Sequence, residues 1–193
     1  MSQATRLPRA VLDADIIFSR VLHELMGRAA DDLRLFDLLW SEELLAEARR
    51  SLVEKKGLSK EVAARWVGYL SQGFPAGSVD ISTVPLDLDL QSLTRDPEDI
   101  HVCALAIAGN ADYLFTFDRA YLKDPLRLHR IEVPDLDEFL ARKCEEQPEA
   151  FRQLVEQQAD NWGGGRPIDD LLAALERASV PKFVAVLRPL VDQ

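Results

Sequence analysis

Asp13, Glu47, Asp99 and Asp118 are the residues of this chain whose types and spacing bear most directly on chemistry. The surrounding sequence assigns each to a different element, and the ends of those elements can meet at one crevice. Four carboxylates gathered there repel one another: at ~4 Å and an effective dielectric near ~20, each pair costs roughly 4 kcal/mol. The cluster needs a cation or must hold protons. With no cysteine or suitably spaced histidine beside these positions, the donors are all oxygen, and the matching ions are Mg2+ or Mn2+, not zinc. Such an ion lowers the pKa of bound water, polarises phosphoryl oxygens and stabilises the leaving oxygen of an in-line displacement, which suits phosphate chemistry.

The elements that must position these groups are legible around them. Ala10-Val11-Leu12 reads as a buried strand that delivers Asp13, and Ala14-Asp15-Ile16-Ile17-Phe18 then runs into a helix to about Gly27. Tyr113 to Phe117 is short, aromatic and bounded by turn signals, so it reads as a second buried strand ending in Asp118, with Thr116 just before it. In open α/β sheets ligands bind outside the C-terminal edge, where both aspartates fall. Asp99 belongs to a helix start: Asp96 fits the N-cap, Pro97 the first helical position, and the apolar body closes at Gly109-Asn110. Ser41 caps another helix on which Leu44, Leu45, Ala48 and Leu52 share one sector at about 100° per residue, with Glu47 at its margin. The helix dipole accounts for Glu42 and Glu43, but Glu47 lies past the first turn.

Other stretches complete the pattern. The spacing predicts a helix over Asp31 to Leu39, and another capped by Ser59 with Val62, Trp66, Val67 and Leu70 on its apolar face. Strands are expected at Val79 to Thr83 and Leu126 to Val133, a strand or extended connector at Leu86 to Leu90, and a helix from about Asp135 to Lys143. Helices and strands alternate, as in a parallel sheet covered on both faces. From Pro148 the character changes to helices alone: Phe151, Leu154, Val155, Gln158 and Trp162 form one face, Gly163-Gly164-Gly165 breaks it, and two shorter helices follow.

A length of 193 residues with 47% hydrophobic content suggests one domain, or one with a small addition. No apolar run is long enough to span a bilayer, and the polar start lacks the apolar centre of a secretion signal, so the expected location is the cytoplasm and no membrane partner is expected. Cys103 and Cys144 read as free thiols. A net charge of −10 argues against a broad basic face for nucleic acid, so any such substrate is gripped locally, with Arg9, Arg20, Arg28, Arg95 and Arg119 as candidates. Asp96 is most economically a cap. His101, about 200° round a helix from Asp99, is expected to point away from the cluster and to be structural. His23 and His129 have no visible catalytic partner, and Trp40, Trp66 and Trp162 read as core rather than stacking residues.

Four ordered motifs, Val-Leu-Asp13-Ala-Asp15-Ile-Ile, Ser41 with Glu47, Asp96-Pro-Glu-Asp99 and Tyr-Leu-Phe-Thr116-Phe-Asp118, resemble those of PIN-domain ribonucleases, especially VapC-type toxins of toxin–antitoxin pairs. The resemblance covers about residues 8–142 and implies a PIN-like three-layer α/β/α fold with a mostly parallel central sheet. It assigns residues 8–142 to a nuclease domain and 143–193 to a small all-α extension like that of a subset of these toxins. By it, Asp13, Glu47, Asp99 and Asp118 are the catalytic acidic positions; Asp13, Asp99 and Asp118 hold Mg2+ or Mn2+, with Glu47 and Asp15 as further candidates. Thr116 and Asp96 support them. The implied reaction is hydrolysis of RNA to a 5′-phosphate and a 3′-hydroxyl, and the implied partners are a cognate antitoxin and a second copy in a homodimer. Asp15 departs from the pattern, since many relatives carry Asn there. Two other readings remain. Asp13-Ala14-Asp15 also resembles the strand-end Asp-x-Asp of haloacid-dehalogenase-like phosphatases, although their later lysine and acidic pair have no counterpart here. A catalytically silent module with an acidic groove for a basic peptide is the third.

Overall fold

The computed structural model describes residues 6–161 and 168–192. Trp162 and Gly163-Gly164-Gly165 lie outside the described residues. In chain order the elements are β1 (Arg9–Leu12), α1 (Ala14–Phe18), α2 (Arg20–Asp31), β2 (Asp37–Leu39), α3 (Glu42–Glu54), α4 (Lys60–Gly73), α5 (Ile100–Ala108), β3 (Tyr113–Phe115), α6 (Lys123–Leu128), α7 (Leu136–Glu146), α8 (Pro148–Asn161), α9 (Ile168–Arg177) and α10 (Pro181–Val191). They divide into two compact units. The first holds the described residues up to Phe18 together with Arg34–Val133; the second holds Ser19–Leu33 and the described residues from Pro134 onward. Helix α7 lies wholly in the second unit.

The first unit is built on a parallel sheet ordered β2-β1-β3, in the PIN-like α/β/α arrangement. Val11 is level with Leu39 and Leu114, and Leu12 with Phe115, so all three strands point their C-terminal ends the same way. Ala10, Val11, Leu12, Leu114 and Phe115 are fully or almost fully buried, as a central strand with both faces covered requires. Asp13 therefore leaves the sheet beside the residues that follow β3, and its backbone N–H donates to Phe115 O at 3.0 Å. Ser41 caps α3 by accepting from Leu44 N, and Ser59 caps α4 by accepting from Val62 N.

Several expectations are corrected. Asp31 to Leu39 is not a helix: Arg34 adopts a positive φ of 54°, which stops α2, and the chain then alternates Phe36 in, Asp37 out, Leu38 in, as β2. The helix expected after Asp13 is two helices, parted at Ser19 by extended backbone. Val79 to Thr83 does not pair as a strand. Only Ser78 bridges to Trp40, because the Asp80 carboxylate accepts from Ser82 N and folds Ile81–Thr83 into a 3-10 turn. The close approach of Gly77 to β2 leaves no room for a side chain, since a Cβ there would stand 1.9 Å from Leu38 O. Of the two readings for Leu86 to Leu90 the connector holds, and it leads into a 3-10 turn, Leu90–Ser92. Leu126 to Val133 splits into the end of α6, a left-handed Arg130 and a single parallel bridge from Glu132 to Tyr113.

In the second unit α10 packs on α7, α8 and α9, and α2 packs on α8 and α9. Gln158, wholly buried, donates to Val21 O at 3.0 Å, and Phe151 meets Phe183 edge-on at 5.7 Å. The buried Asp137 carboxylate accepts from Lys182 N and Phe183 N at 3.0 and 2.8 Å, which satisfies the first donors of α10. The apolar faces of the appendix thus bury on one another and on α2. Both cysteines are buried and free. Among the described residues no helix is long and apolar enough to cross a membrane.

Candidate active site

Asp13 is 5% exposed at the end of β1. Its Oδ1 accepts from Ala14 N at 2.7 Å, and its Oδ2 accepts from the Thr116 hydroxyl at 2.7 Å. Burial pushes its carboxyl above the usual range, the two hydrogen bonds oppose that, and the charge of Glu47 adds to it. Thr116 Oγ1 accepts from Asp118 N at 2.9 Å and has one proton to give, so a relay runs from Asp118 N–H through Thr116 to Asp13. The contact of Thr116 with Asp15 Oδ2, at 3.4 Å, is the weaker alternative for that proton.

Asp15 faces the same strand end from α1. Its Oδ2 accepts from Phe117 N at 2.8 Å, tying the stretch after β3 to the stretch after β1. Burial and the neighbouring Asp13 charge push its carboxyl up to about 7. Asp99, 9% exposed, closes the 3-10 turn Pro97–Asp99 that leads into α5. It too is pushed up to about 7, first by burial and then by the charges of Asp13, Asp96, Asp118 and Glu47. The Thr94 hydroxyl reaches Asp99 Oδ2 only at 3.5 Å. Asp96 is a cap, its Oδ1 accepting from Glu98 N at 2.9 Å. Asp118 is exposed, and its Oδ1 accepts from Ala120 N at 2.7 Å, so its side chain is held in a local turn at the rim. Asp13, Asp15 and Thr116 are hydrogen-bonded together, Asp99 and Glu47 act on Asp13 or on each other through charge, and Asp118 meets them through its backbone and its field.

His101 belongs here, contrary to the sequence expectation. Its Nε2 lies 3.0 Å from Glu47 Oε2, and its Nδ1 lies 2.8 Å from Glu98 O. A carbonyl and a carboxylate both only accept, so the ring is favourable here with both nitrogens protonated. Burial acts to lower its pKa, but Glu47 and the Glu98 carbonyl outweigh that and leave it raised. The helical arithmetic fails because Asp99 precedes α5 in a 3-10 turn, so counting angles from Asp99 along an α-helix misplaces His101. A raised pKa stabilises the fold most below the unfolded value, and that contribution is lost as pH rises through the folded value. In metal-free buffer, His101→Gln is therefore expected to cost about 1 kcal/mol at pH 6 and much less at pH 9, measured by urea unfolding.

Tyr121 is the other residue that sequence reasoning missed. It is 4% exposed and bridges to Thr94 through its backbone, and its hydroxyl lies against Asp13 without an aligned hydrogen bond. Nothing in the local sequence marks it, since only the pairing of residues 93–95 with 120–122 brings it in. Among the described residues five buried side-chain polar atoms lack a hydrogen-bond partner: Asp15 Oδ1, Glu47 Oε2, His101 Nε2, Tyr121 Oη and Gln158 Oε1. Two of them, Asp15 Oδ1 and Tyr121 Oη, lie at these carboxylates with no partner, while Glu47 Oε2 and His101 Nε2 stand 3.0 Å apart and serve each other. Buried polar atoms are ordinarily paired, so the two unpartnered ones mark a place built for polar ligands. Among the described residues, no three His, Cys, Asp or Glu side chains already stand as a metal-ligand set. The donor chemistry still fits a hard cation: oxygen ligands, carboxyls raised first by burial and then by one another's charge, and an unpartnered carboxylate oxygen on Asp15.

A family model described as PIN domain matches residues 9–120, and one described as VapC50 C-terminal domain matches residues 136–189. Comparison with curated proteins gave no match, and neither did comparison with solved structures. At the family level the two matches support a nuclease toxin. With the first of them spanning more than half of the chain and laid over the elements that carry Asp13, Glu47, Asp99 and Asp118, this protein belongs to the PIN-domain family.

Proposed function

We propose that this protein is a metal-dependent endoribonuclease, the toxin of a toxin–antitoxin pair, acting in the cytoplasm. The observation that carries the reading is the gathering of buried carboxyls at one strand end, Asp13, Asp15 and Asp99, each pushed up by burial and by its acidic neighbours. Asp13, Asp99 and Asp118 would hold Mg2+ or Mn2+, with Glu47 and Asp15 next to them. The ion supplies an acidified water and charge neutralisation at the phosphate. The chain supplies the rest. Thr116 favours the anionic form of Asp13 against its burial by donating to it, Asp15 fixes the backbone of Phe117, and His101 holds Glu47 by charge. The family match over residues 9–120 favours this reading over the phosphatase one.

A partner inhibits such a site most directly by placing an Arg or Lys among the carboxylates, where charge-assisted hydrogen bonds replace the cation. The cognate antitoxin is proposed to act so, and the toxin to form a homodimer. The test is thermal unfolding with and without Mn2+, followed by cleavage of single-stranded RNA. At a concentration of about 100 times its Kd, the ion is expected to stabilise the wild type by about 2.7 kcal/mol and to be required for cleavage. A protein that ignores millimolar Mn2+ and Mg2+ yet binds a basic peptide would instead be the silent acidic module.

A further inference from the structure

We propose that Phe117 is a stacking platform for an unpaired nucleobase flanking the scissile phosphate, an inference that rests on the ribonuclease reading above. Phe117 sits between Thr116 and Asp118, directly after the buried end of β3, yet is 41% exposed while Leu114 and Phe115 are wholly buried. Its backbone is fixed, because its N–H is gripped by Asp15 Oδ2 at 2.8 Å. A half-exposed aromatic residue thus stands on a clamped main chain in the segment whose neighbours Thr116 and Asp118 belong to the acidic cluster.

The aromatic residues that could compete for this role in the first unit are committed elsewhere. Trp40 donates to Phe74 O at 2.8 Å, and Trp66 donates to Ile17 O at 3.0 Å beneath the Lys56 ammonium. Phe115 packs against Phe36 and Tyr113 at ring distances of 5.6 and 5.7 Å. Tyr69 is exposed, but on α4.

Electrostatics gives the ring its purpose. A chain of net charge −10 with several carboxylates at its site repels a polyanion, so the usual source of RNA affinity, cation–phosphate contact, is weak here. Stacking on an aromatic face does not depend on charge and is tolerant of base identity. The main-chain bond from Arg95 N to Ala120 O, 3.0 Å, brings the segments bearing the exposed Arg95 and Arg119 together, and these supply the local phosphate contacts. A base-paired nucleotide offers no free face, so the substrate is single-stranded at the cut.

The experiment compares wild type with Phe117→Ala, Phe117→Leu and Phe117→Trp on a short single-stranded RNA in Mn2+, with an abasic nucleotide walked through the substrate. Phe117→Ala is expected to raise KM roughly tenfold, the scale of one lost base–aromatic stack, while kcat, the unfolding midpoint and its shift with Mn2+ stay unchanged. Trp restores KM and Leu does not. One abasic position raises KM for wild type but has no further effect on Phe117→Ala, as coupled groups require. Unchanged KM in Phe117→Ala, or rescue by Leu equal to that by Trp, overturns the inference and leaves the ribonuclease reading intact. A wild type that does not cleave RNA overturns both.

Discussion

Asp99→Asn is expected to make the metal-free protein more stable at pH 8 and nearly inactive. Asp99 is 9% exposed and its carboxyl is pushed up to about 7 by burial and by four neighbouring carboxylates. A group whose folded pKa lies above its unfolded value of 3.8 stabilises the fold fully only below that value, and the contribution is lost as pH rises through about 7. At pH 8 the wild type therefore carries an ionised Asp99 in a place that disfavours ionisation. Asn has nearly the same shape and no charge, and it forfeits only the long contact with Thr94. The expected gain is about 2 kcal/mol after allowance for solvent screening, and it should shrink towards zero near pH 4, where the wild-type carboxyl is protonated as well. Saturating Mn2+ is expected to reverse the order, since only the wild type keeps its full set of oxygen donors. Urea unfolding at pH 4.5 and 8, with EDTA and with Mn2+, reads both signs. A less stable Asn variant at pH 8 in EDTA would mean that the field at Asp99 is already balanced, and the case for a cation would weaken with it.

The legible parts of this chain were those in which a local rule and a global one agree. Asp13 could be placed at the sheet edge because a short buried strand followed by a carboxylate puts it there, and Asp118 near it because β3 runs level with β1, although β3 ends at Phe115 and not at Phe117 as expected. Caps at Ser41, Ser59 and Asp96 were readable because an Asx or Ser side chain serving a backbone N–H is a contact within three residues. What failed depended on distant pairing or on a local twist with no signature. The strand β2 was read as helix because its apolar spacing suits both periods, and the choice is made by pairing to β1 and by the left-handed Arg34. Arg9 was placed among the candidate RNA contacts, but it stands at the opposite end of β1 from Asp13 and its guanidinium donates to Gly109 O at 2.9 Å. Arg28, in the second unit, is engaged with Glu24 and Asp32. His101 and Tyr121 come to the carboxylates only through the α3–α5 packing and the bridge between Thr94 and Tyr121, neither of which a single sequence encodes as a spacing.

Asp13→Asn should separate fold from activity more sharply than any other substitution at this site. It is expected to lower RNA cleavage roughly 10³-fold or more, on the scale of removing one preorganised electrostatic group from a reaction centre, with the unfolding midpoint held or raised. The fold survives because burial already works against the Asp13 charge, and an Asn oxygen can still accept from Ala14 N. The chemistry does not, because the Asn NH2 then faces Thr116 Oγ1. That oxygen already accepts from Asp118 N, so its single proton must turn to Asp15 Oδ2. Thr116→Val separates the same parts in the opposite way. It keeps the Asp13 charge but deprives that buried carboxylate of a donor and leaves Asp118 N–H without its acceptor, so it should cost about 1–3 kcal/mol of stability. It should also make the remaining activity set in at higher pH, as Asp13 becomes harder to ionise once the Thr116 hydrogen bond no longer opposes its burial. Urea unfolding and a cleavage profile from pH 5 to 9 on both variants decide the matter. If Thr116→Val loses activity without any change in that profile, the hydroxyl serves the strand end, and Asp13 is kept anionic by the cation alone.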